Sequence, residues 1–164
     1  MNRLFRTTVV EISGVRTIAG GGTNASNATQ ALLNLSGVSI TGNQTISGTK
    51  TFTNVTESFS TLNISSQTIN FPLNSGMNFI LPLTTGITGI TFSNTPTNTF
   101  SFTLRVDYSG AHAIVWPTGT PGKILWPSNT APTLTSVSGK EDLFTFLTYN
   151  SGTEFFGITS AQNY

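Results

Sequence analysis

The single histidine of the chain, His112, is the natural starting point of a search for catalytic residues. It follows the turn sequence YSG at 108–110, which would bring it across a hairpin from Asp107. In a hydrolase triad, one of the many serines would be the nucleophile, His112 the general base and Asp107 the acid that orients the histidine. The chain has no G-x-S-x-G nucleophile elbow, however, and a histidine at a strand edge is usually just solvated. We therefore predict no catalytic triad.

Other reactive patterns are equally sparse. Glu141 and Asp142 are adjacent, so on a strand they point to opposite faces and cannot work as an acid/base pair. One His, no Cys and six scattered acidic residues provide no metal-ligand spacing. The run Gly20–Gly22 is not followed by a phosphate-binding signature and is predicted to be a hinge. The sequence predicts no enzyme activity, no metal site and no cofactor.

Two tryptophans, Trp116 and Trp126, each precede a proline and allow two interpretations. Exposed on a β domain, they could stack on sugar rings and form a glycan-binding platform. Buried, they would cover the core, with Pro117 and Pro127 ending strands where no ladder donor is required. The neighbouring pair in the sequence TEFFGI raises a related question, because one phenyl ring should be buried and the other exposed or at a subunit contact.

The composition argues for a β-rich protein with few charges. Charged residues are 8% of the 164 residues, where about a quarter is usual. Thr, Ser, Asn and Gly replace them, as is common in β-rich extracellular and virion proteins. The formal net charge is +1 and the basic residues are scattered singly, which predicts no nucleic-acid partner. Without Cys, robustness has to come from packing or from oligomerisation.

The N-terminal sequence carries no recognisable export signal. Its longest apolar runs are two residues, so it lacks the apolar region of a signal peptide. No stretch approaches the about 20 apolar residues of a membrane span. We expect a protein that is made in a cytoplasm and does not insert into membranes. Residues 1–22, with a small hairpin or two edge strands, are predicted to be an attachment segment that docks on another protein.

The sequence TNASNATQALLNLSG is the one convincing helical stretch. Thr23 or Asn24 can cap its first turn, and Gly37 stands where a C-terminal stop belongs. Its apolar residues have the a/d spacing of a coiled-coil seam. One interpretation is a short helix packed on its own domain, but isolated helices this short are marginal and no neighbouring segment looks like a partner. We favour a seam shared among identical chains. The seam residues are Ala25, Ala28, Leu32 and Leu35.

Residues 38–71 spread few apolar side chains through Thr, Ser, Asn and Gly. GNQTISGTKTF and LNISSQTINF are similar enough to suggest a degenerate repeat of short β segments. Their apolar residues, including Ile46 and Phe52, look too few to cover a core within one chain. We therefore expect strands that wind around two symmetry mates, with Ile46 and Phe52 at trimer contacts.

After residue 71 the pattern changes to denser strands with turn signals between them. In TFSFTLRVDY, apolar and polar residues alternate, so one face is predicted to be buried. The regular spacing predicts an all-β fold with a C-terminal β-sandwich of the jelly-roll type. The predicted strands are Met77–Leu83, Ile87–Ser93, Thr99–Tyr108, Ala111–Trp116, Lys123–Trp126, Leu143–Tyr149 and Thr153–Ile158.

Three motifs in this order resemble bacteriophage tail-fibre and virion structural proteins. GGTNASNATQALLNL is similar to a fibre linker with Asn24 in place of its usual Gly, and Asn tolerates a positive φ angle. GNQTISGTKTF resembles the repeated segments of fibre shafts, here about once, which implies a short shaft. VWPTGTPGKILWPSNTAPTLTSVSGKEDLFTFLTYNSGTEFFG resembles a C-terminal pattern in which W-P belongs to the domain framework. That favours the structural interpretation of both tryptophans.

The resemblance implies a homotrimeric, non-enzymatic virion protein, with residues 1–22 as attachment segment, 23–70 as helix and intertwined stalk, and 71–164 as head. The favoured function is a short tail fibre or spike that binds other tail or baseplate proteins and displays its heads to a host-surface glycan or protein. Multivalency would strengthen weak contacts. The alternative is a capsid-decorating trimer that binds the major capsid protein and stabilises the shell. Virion localisation, but no receptor-binding residue, follows from the resemblance.

Overall fold

The structure, a computed structural model, describes residues 27–34, 48–49, 51 and 53–164. The chain divides into two compact units, Met1–Phe52 and Thr53–Tyr164. In the first unit, the helix α1 spans Ala28–Asn34. The side-chain Oδ1 of Asn27 accepts the backbone N–H of Gln30 at 2.8 Å, so Asn27 caps this helix. Thr23, Asn24 and Gly37, predicted to lie at its ends, are outside the described residues.

The C-terminal unit is built from strands, which confirms the all-β prediction for this part of the chain. Its strands are β1 (Phe59–Thr61), β2 (Thr68–Pro72), β3 (Asn78–Leu83), β4 (Gly89–Ser93), β5 (Phe100–Tyr108), β6 (Lys123–Leu125), β7 (Glu141–Thr148) and β8 (Glu154–Gln162). They form a six-stranded sheet with the order β1-β3-β5-β7-β8-β6 and a two-stranded sheet of β2 and β4. Rings of β2 and β4 contact rings of the larger sheet, so the two sheets enclose one core.

The first five strands wind between the two sheets. β1, β3 and β5 pair in parallel in the larger sheet, and β2 pairs in parallel with β4 in the smaller one. A turn of this winding takes 19 residues from Phe59 to Asn78 and 25 from Asn78 to Thr103. β7 and β8 then extend the larger sheet as antiparallel strands, and β6 pairs in parallel with β8 at its edge. A jelly roll consists of antiparallel Greek keys, and these parallel pairings differ from it.

The core contains apolar residues that the sequence analysis assigned to the stalk. Leu62 and Ile69 are buried together with Phe71 inside a single chain. For these residues, the expectation that no core forms within one chain is wrong, because the winding brings successive turns into one sandwich. The compact unit begins at Thr53, before the expected head boundary at residue 71.

The predicted strands after residue 71 correspond to β3–β8, with one exception. The predicted strand Ala111–Trp116 makes only a single parallel bridge, between Ile114 and Ile87. Backbone hydrogen bonds join Ile87 to Ala113 and Val115 here, and Trp116, which follows, is 8% exposed. The predicted alternation in β5 is confirmed, since Phe102, Leu104, Val106 and Tyr108 are buried.

The β7–β8 turn depends on a glycine and on a buried hydroxyl. Gly152 has a φ angle of 77°, and a Cβ at this position would lie 2.4 Å from Cγ2 of Thr95. The buried Thr148 Oγ1 accepts the backbone N–H of Gly152 at 3.0 Å and donates to Oδ1 of Asn150 at 3.0 Å. The turn predicted from YNSGT is thus confirmed, and the hydroxyl of the preceding residue, Thr148, satisfies one of its backbone donors.

Phe102 lies at the centre of the core, with its ring 5.0–6.3 Å from six other phenyl rings. We expect Phe102→Ala to lower the free energy of unfolding by about 3–5 kcal/mol, because it removes a large buried side chain and leaves a cavity. Denaturant unfolding monitored by tryptophan fluorescence measures this loss, since Trp116 and Trp126 both lie in this unit. Ser101→Ala, at the exposed neighbour, is the matched control and should change stability by less than about 0.5 kcal/mol.

Candidate functional site

The structure does not bring together the residues of a hydrolase triad. The Asp107 carboxylate accepts two hydrogen bonds from Arg105, from Nε at 2.8 Å and from Nη2 at 3.0 Å. The main chain of His112 bonds elsewhere, with its N–H donating to the Gly110 carbonyl and its carbonyl accepting from Ser136 Oγ. Asp107 is therefore held by a guanidinium on its own strand, and the described part of the chain shows no hydrogen bond between Asp107 and His112.

Glu141 and Asp142 point to opposite faces of β7, as predicted. Glu141 is partly exposed, and its Oε2 lies 3.8 Å from Arg105 Nε. Asp142 is 1% exposed. The two carboxylates therefore lie in different surroundings, one at the open face of the sheet and one in the core.

The buried Asp142 carboxylate is the centre of a hydrogen-bond cluster that the sequence analysis missed. Its Oδ2 accepts the Tyr108 hydroxyl at 2.6 Å and the Thr135 N–H at 2.9 Å. Oδ1 accepts the Thr135 hydroxyl and the Asn163 N–H, and Gln162 Nε2 lies 3.5 Å from Oδ2. The cluster therefore ties β5, β7, the loop before β7 and the end of β8 to one charged group. A buried charge of this kind needs such partners.

The hydrogen bonds decide the charge state of Asp142. Burial alone would raise the pKa of its carboxyl, but the bonds from Thr135, Tyr108 and Asn163 favour the ionised form and lower the pKa below its usual value. Burial, together with the hydrogen bond and the charge of Asp142, raises the pKa of Tyr108. Asp142 therefore favours the ionised form, and Tyr108 keeps its proton and donates it in the hydrogen bond to Asp142. The cluster holds β5, the loop before β7 and the end of β8 in place.

Both tryptophans are core residues, as the structural interpretation predicted. Trp116 and Trp126 are each 8% exposed, and their rings meet edge to face at 5.2 Å. Both also pack against Phe144 and Phe146. A groove of about 290 Å³ runs past them, beside Lys123. Both tryptophans line this groove, but most of each side chain lies within the core.

The outer face of the six-stranded sheet is polar along β5 and largely apolar where β6, β7 and β8 meet. β5 presents Ser101, Thr103, Arg105 and Asp107 outward. β6, β7 and β8 instead place large apolar side chains side by side, since Phe156 pairs with Leu125 on one side and with Leu147 on the other. Ile158 lies two residues further along β8, opposite Thr145. Tyr149 contacts Phe156 at a ring separation of 6.1 Å. We call this set the apolar patch; it consists of Leu125, Leu147, Tyr149, Phe156 and Ile158.

The apolar patch was only partly foreseen. Phe155 is fully buried and Phe156 is 47% exposed, which confirms the prediction that the two rings separate. The alternation of Phe156 and Ile158 in the sequence FFGI was the available signal. The neighbours on β6 and β7 could not be recognised without the strand order, because β6 is distant in sequence from β8 yet pairs with it.

The predicted trimer contacts lie in the first unit. Ala28 and Leu32 are residues of helix α1. Ala25, Leu35, Ile46 and Phe52 lie outside the described residues. The proposed seam therefore stays a prediction.

In residues 27–34, 48–49, 51 and 53–164, no three His, Cys, Asp or Glu side chains are grouped so that they could hold a metal ion. The same residues contain no helix long and apolar enough to cross a membrane.

Comparison with protein-family models, with curated proteins and with solved structures finds no match to this chain.

The Asp142 cluster generates a prediction on pH dependence. Because its pKa in the folded protein lies below the ordinary 3.8, ionised Asp142 stabilises the fold above that pH, and this contribution is lost as the pH falls through the lower, native pKa. We expect Asp142→Asn to cost about 2–3 kcal/mol at pH 7, since an amide NH₂ then faces hydrogen-bond donors. It should also remove part of the acid dependence of stability below about pH 4. Unfolding curves recorded between about pH 2 and pH 7 measure both effects.

Glu141→Gln is the matched control, because it neutralises the adjacent carboxylate on the open face of the same strand. Its side chain is 44% exposed, so we expect a change below about 0.5 kcal/mol. Equal losses in the two variants would contradict the role of the Asp142 cluster.

Proposed function

We propose that this chain is a non-enzymatic bacteriophage virion protein, a short trimeric tail fibre or spike component that displays its C-terminal unit as a head for host-surface attachment. The observation that carries the proposal is the division of the chain: a densely packed β unit follows an N-terminal unit of 52 residues that contains the linker and shaft motifs. The proposal rests on those motifs for the family.

The chemistry of the C-terminal unit supports a structural function. Its one deeply buried carboxylate, Asp142, is engaged by donors from several segments and stabilises their arrangement. The carboxylate of Asp107 pairs with Arg105. The Asp142 cluster joins separate segments of the domain, and a preorganised domain suits the display of a fixed binding surface.

The trimer follows from the predicted seam of helix α1. In a parallel bundle of three chains, Leu32 and Leu35 would pack against their symmetry mates, and the C-terminal units would be held near one another. Weak contacts of single heads to a cell surface would then gain from multivalency. The jelly-roll classification is not needed for this function, which depends only on a rigid β head.

The seam is tested by Leu32→Asp combined with Leu35→Asp. We expect this variant to be monomeric at micromolar concentration, because buried carboxylates at a and d positions repel one another. Light scattering coupled to size-exclusion chromatography measures the mass. Thr29→Asp with Gln30→Asp adds the same charge at two exposed positions of α1 and should leave the trimer intact. A trimer that survives the leucine substitutions would overturn the seam.

Location on the virion separates the tail fibre from the capsid-decorating alternative. We expect a gold label at the C-terminus of the chain to lie on the tail in negative-stain images of virions, since heads that attach to the host must project from the tail. The purified protein should also compete with phage adsorption. Label spread over the shell, together with stabilisation of capsids that lack the protein, would favour capsid decoration instead.

A further inference from the structure

The apolar patch places several exposed apolar side chains next to one another on the outer face of the larger sheet. Antiparallel strands with one face open to water normally alternate apolar inward and polar outward residues. β8 follows this rule on its inner side with Phe155, but its outer side carries Phe156 and Ile158, which are 47% and 53% exposed. Tyr149, beside them, is 65% exposed. Contiguous exposed apolar surface of this kind marks an interaction site.

We propose that the apolar patch is a contact surface between C-terminal units of two copies of this chain. The inference rests on the proposed trimer for the proximity of the copies, because helix seams in the N-terminal units would hold the C-terminal units at high local concentration.

The charges at the border of the patch fit a second copy. Lys123 and Glu154 are register partners in β6 and β8, and Lys123 Nζ lies 3.8 Å from Glu154 Oε1. The pair has no net charge, so it offers no attraction to a strongly acidic or basic partner. A second copy carries the same two charges, so each Lys123 can face a Glu154 of its neighbour. The border is therefore complementary to itself.

The size of the patch fits a contact that depends on a tether. The exposed parts of Tyr149, Phe156 and Ile158 amount to a few hundred Å². A stable independent interface buries about 800 Å² on each partner. The patch alone is too small for a tight dimer. Copies joined through another segment need much less contact area, because the second association is intramolecular.

Cross-linking through a single introduced cysteine tests the inference, since the chain contains no Cys. We expect full-length Ile158→Cys to form covalent dimers with a short bis-maleimide about tenfold faster than full-length Thr61→Cys. Thr61 is an exposed hydroxyl residue on β1, four strands away in the same sheet. Because both side chains are on the surface, neither substitution should affect folding, which tryptophan fluorescence checks.

A second variant tests the patch itself. Adding Tyr149→Thr and Phe156→Thr to Ile158→Cys removes two aromatic side chains while Thr retains a high strand propensity. We expect its cross-linking rate to fall to that of Thr61→Cys. Equal rates for Ile158→Cys and Thr61→Cys, or a rate unaffected by the threonine substitutions, would overturn the inference. If the patch binds a different protein instead, Ile158→Cys and Thr61→Cys should cross-link at equal rates, which also overturns the inference.

The mass of the unmodified chain distinguishes failure of this inference from failure of the proposed trimer. If the chain is a trimer but Ile158→Cys cross-links no faster than Thr61→Cys, the patch contact is wrong and the proposed trimer is unaffected. If the mass of the unmodified chain is that of a monomer, the trimer of the proposed function is wrong. In that case, the comparison of the two cysteine variants at about 100 μM protein decides the patch contact by itself, because this concentration compensates in part for the missing tether.

Discussion

Parallel neighbours in a sheet cannot be joined by a tight turn, and this constraint organises the C-terminal unit. The chain has to leave β1 and β3 before it can run parallel beside them again. In most proteins a helix makes this crossover, but here β2 and β4 do so as a second sheet. Each crossover strand presents its own apolar face to the larger sheet, and the rings of Phe71 and Phe92 therefore meet Phe102 in the centre.

The antiparallel strands close the core that the winding leaves open. β7 pairs with β5, the last strand of the winding, and β8 pairs with β7. These pairings bring Phe146 and Phe155 against the ring of Phe102. The Asp142 carboxylate fixes this closure, because it binds donors from β5, from the loop before β7 and from the end of β8. A buried anion is tolerated there because its hydrogen bonds replace those of water.

The surface that this fold presents is uneven, and that bears on the proposed function. Hydroxyl and amide groups replace charges over much of the chain, so there is little long-range electrostatic attraction to any partner. The apolar patch on β6, β7 and β8 adds contiguous apolar surface to the C-terminal unit, in which other apolar side chains such as Phe59 and Val115 are also exposed. A short-range, neutral contact of this kind is suited to copies already held together.

The amino-acid sequence by itself determined most of the strands after residue 71 and which side of β5 is buried, because alternation and turn residues act over a few neighbours. It also indicated that Trp116 and Trp126 belong to the core, and that Phe155 and Phe156 separate. It could not show that 53–70 joins the core, that Asp142 gathers its donors, or that Leu125 lies beside Phe156. Those features arise from pairings between residues distant in the chain, and several pairings satisfy the same local pattern. Only tertiary packing, in which the burial of the phenyl rings selects one strand order, decided them.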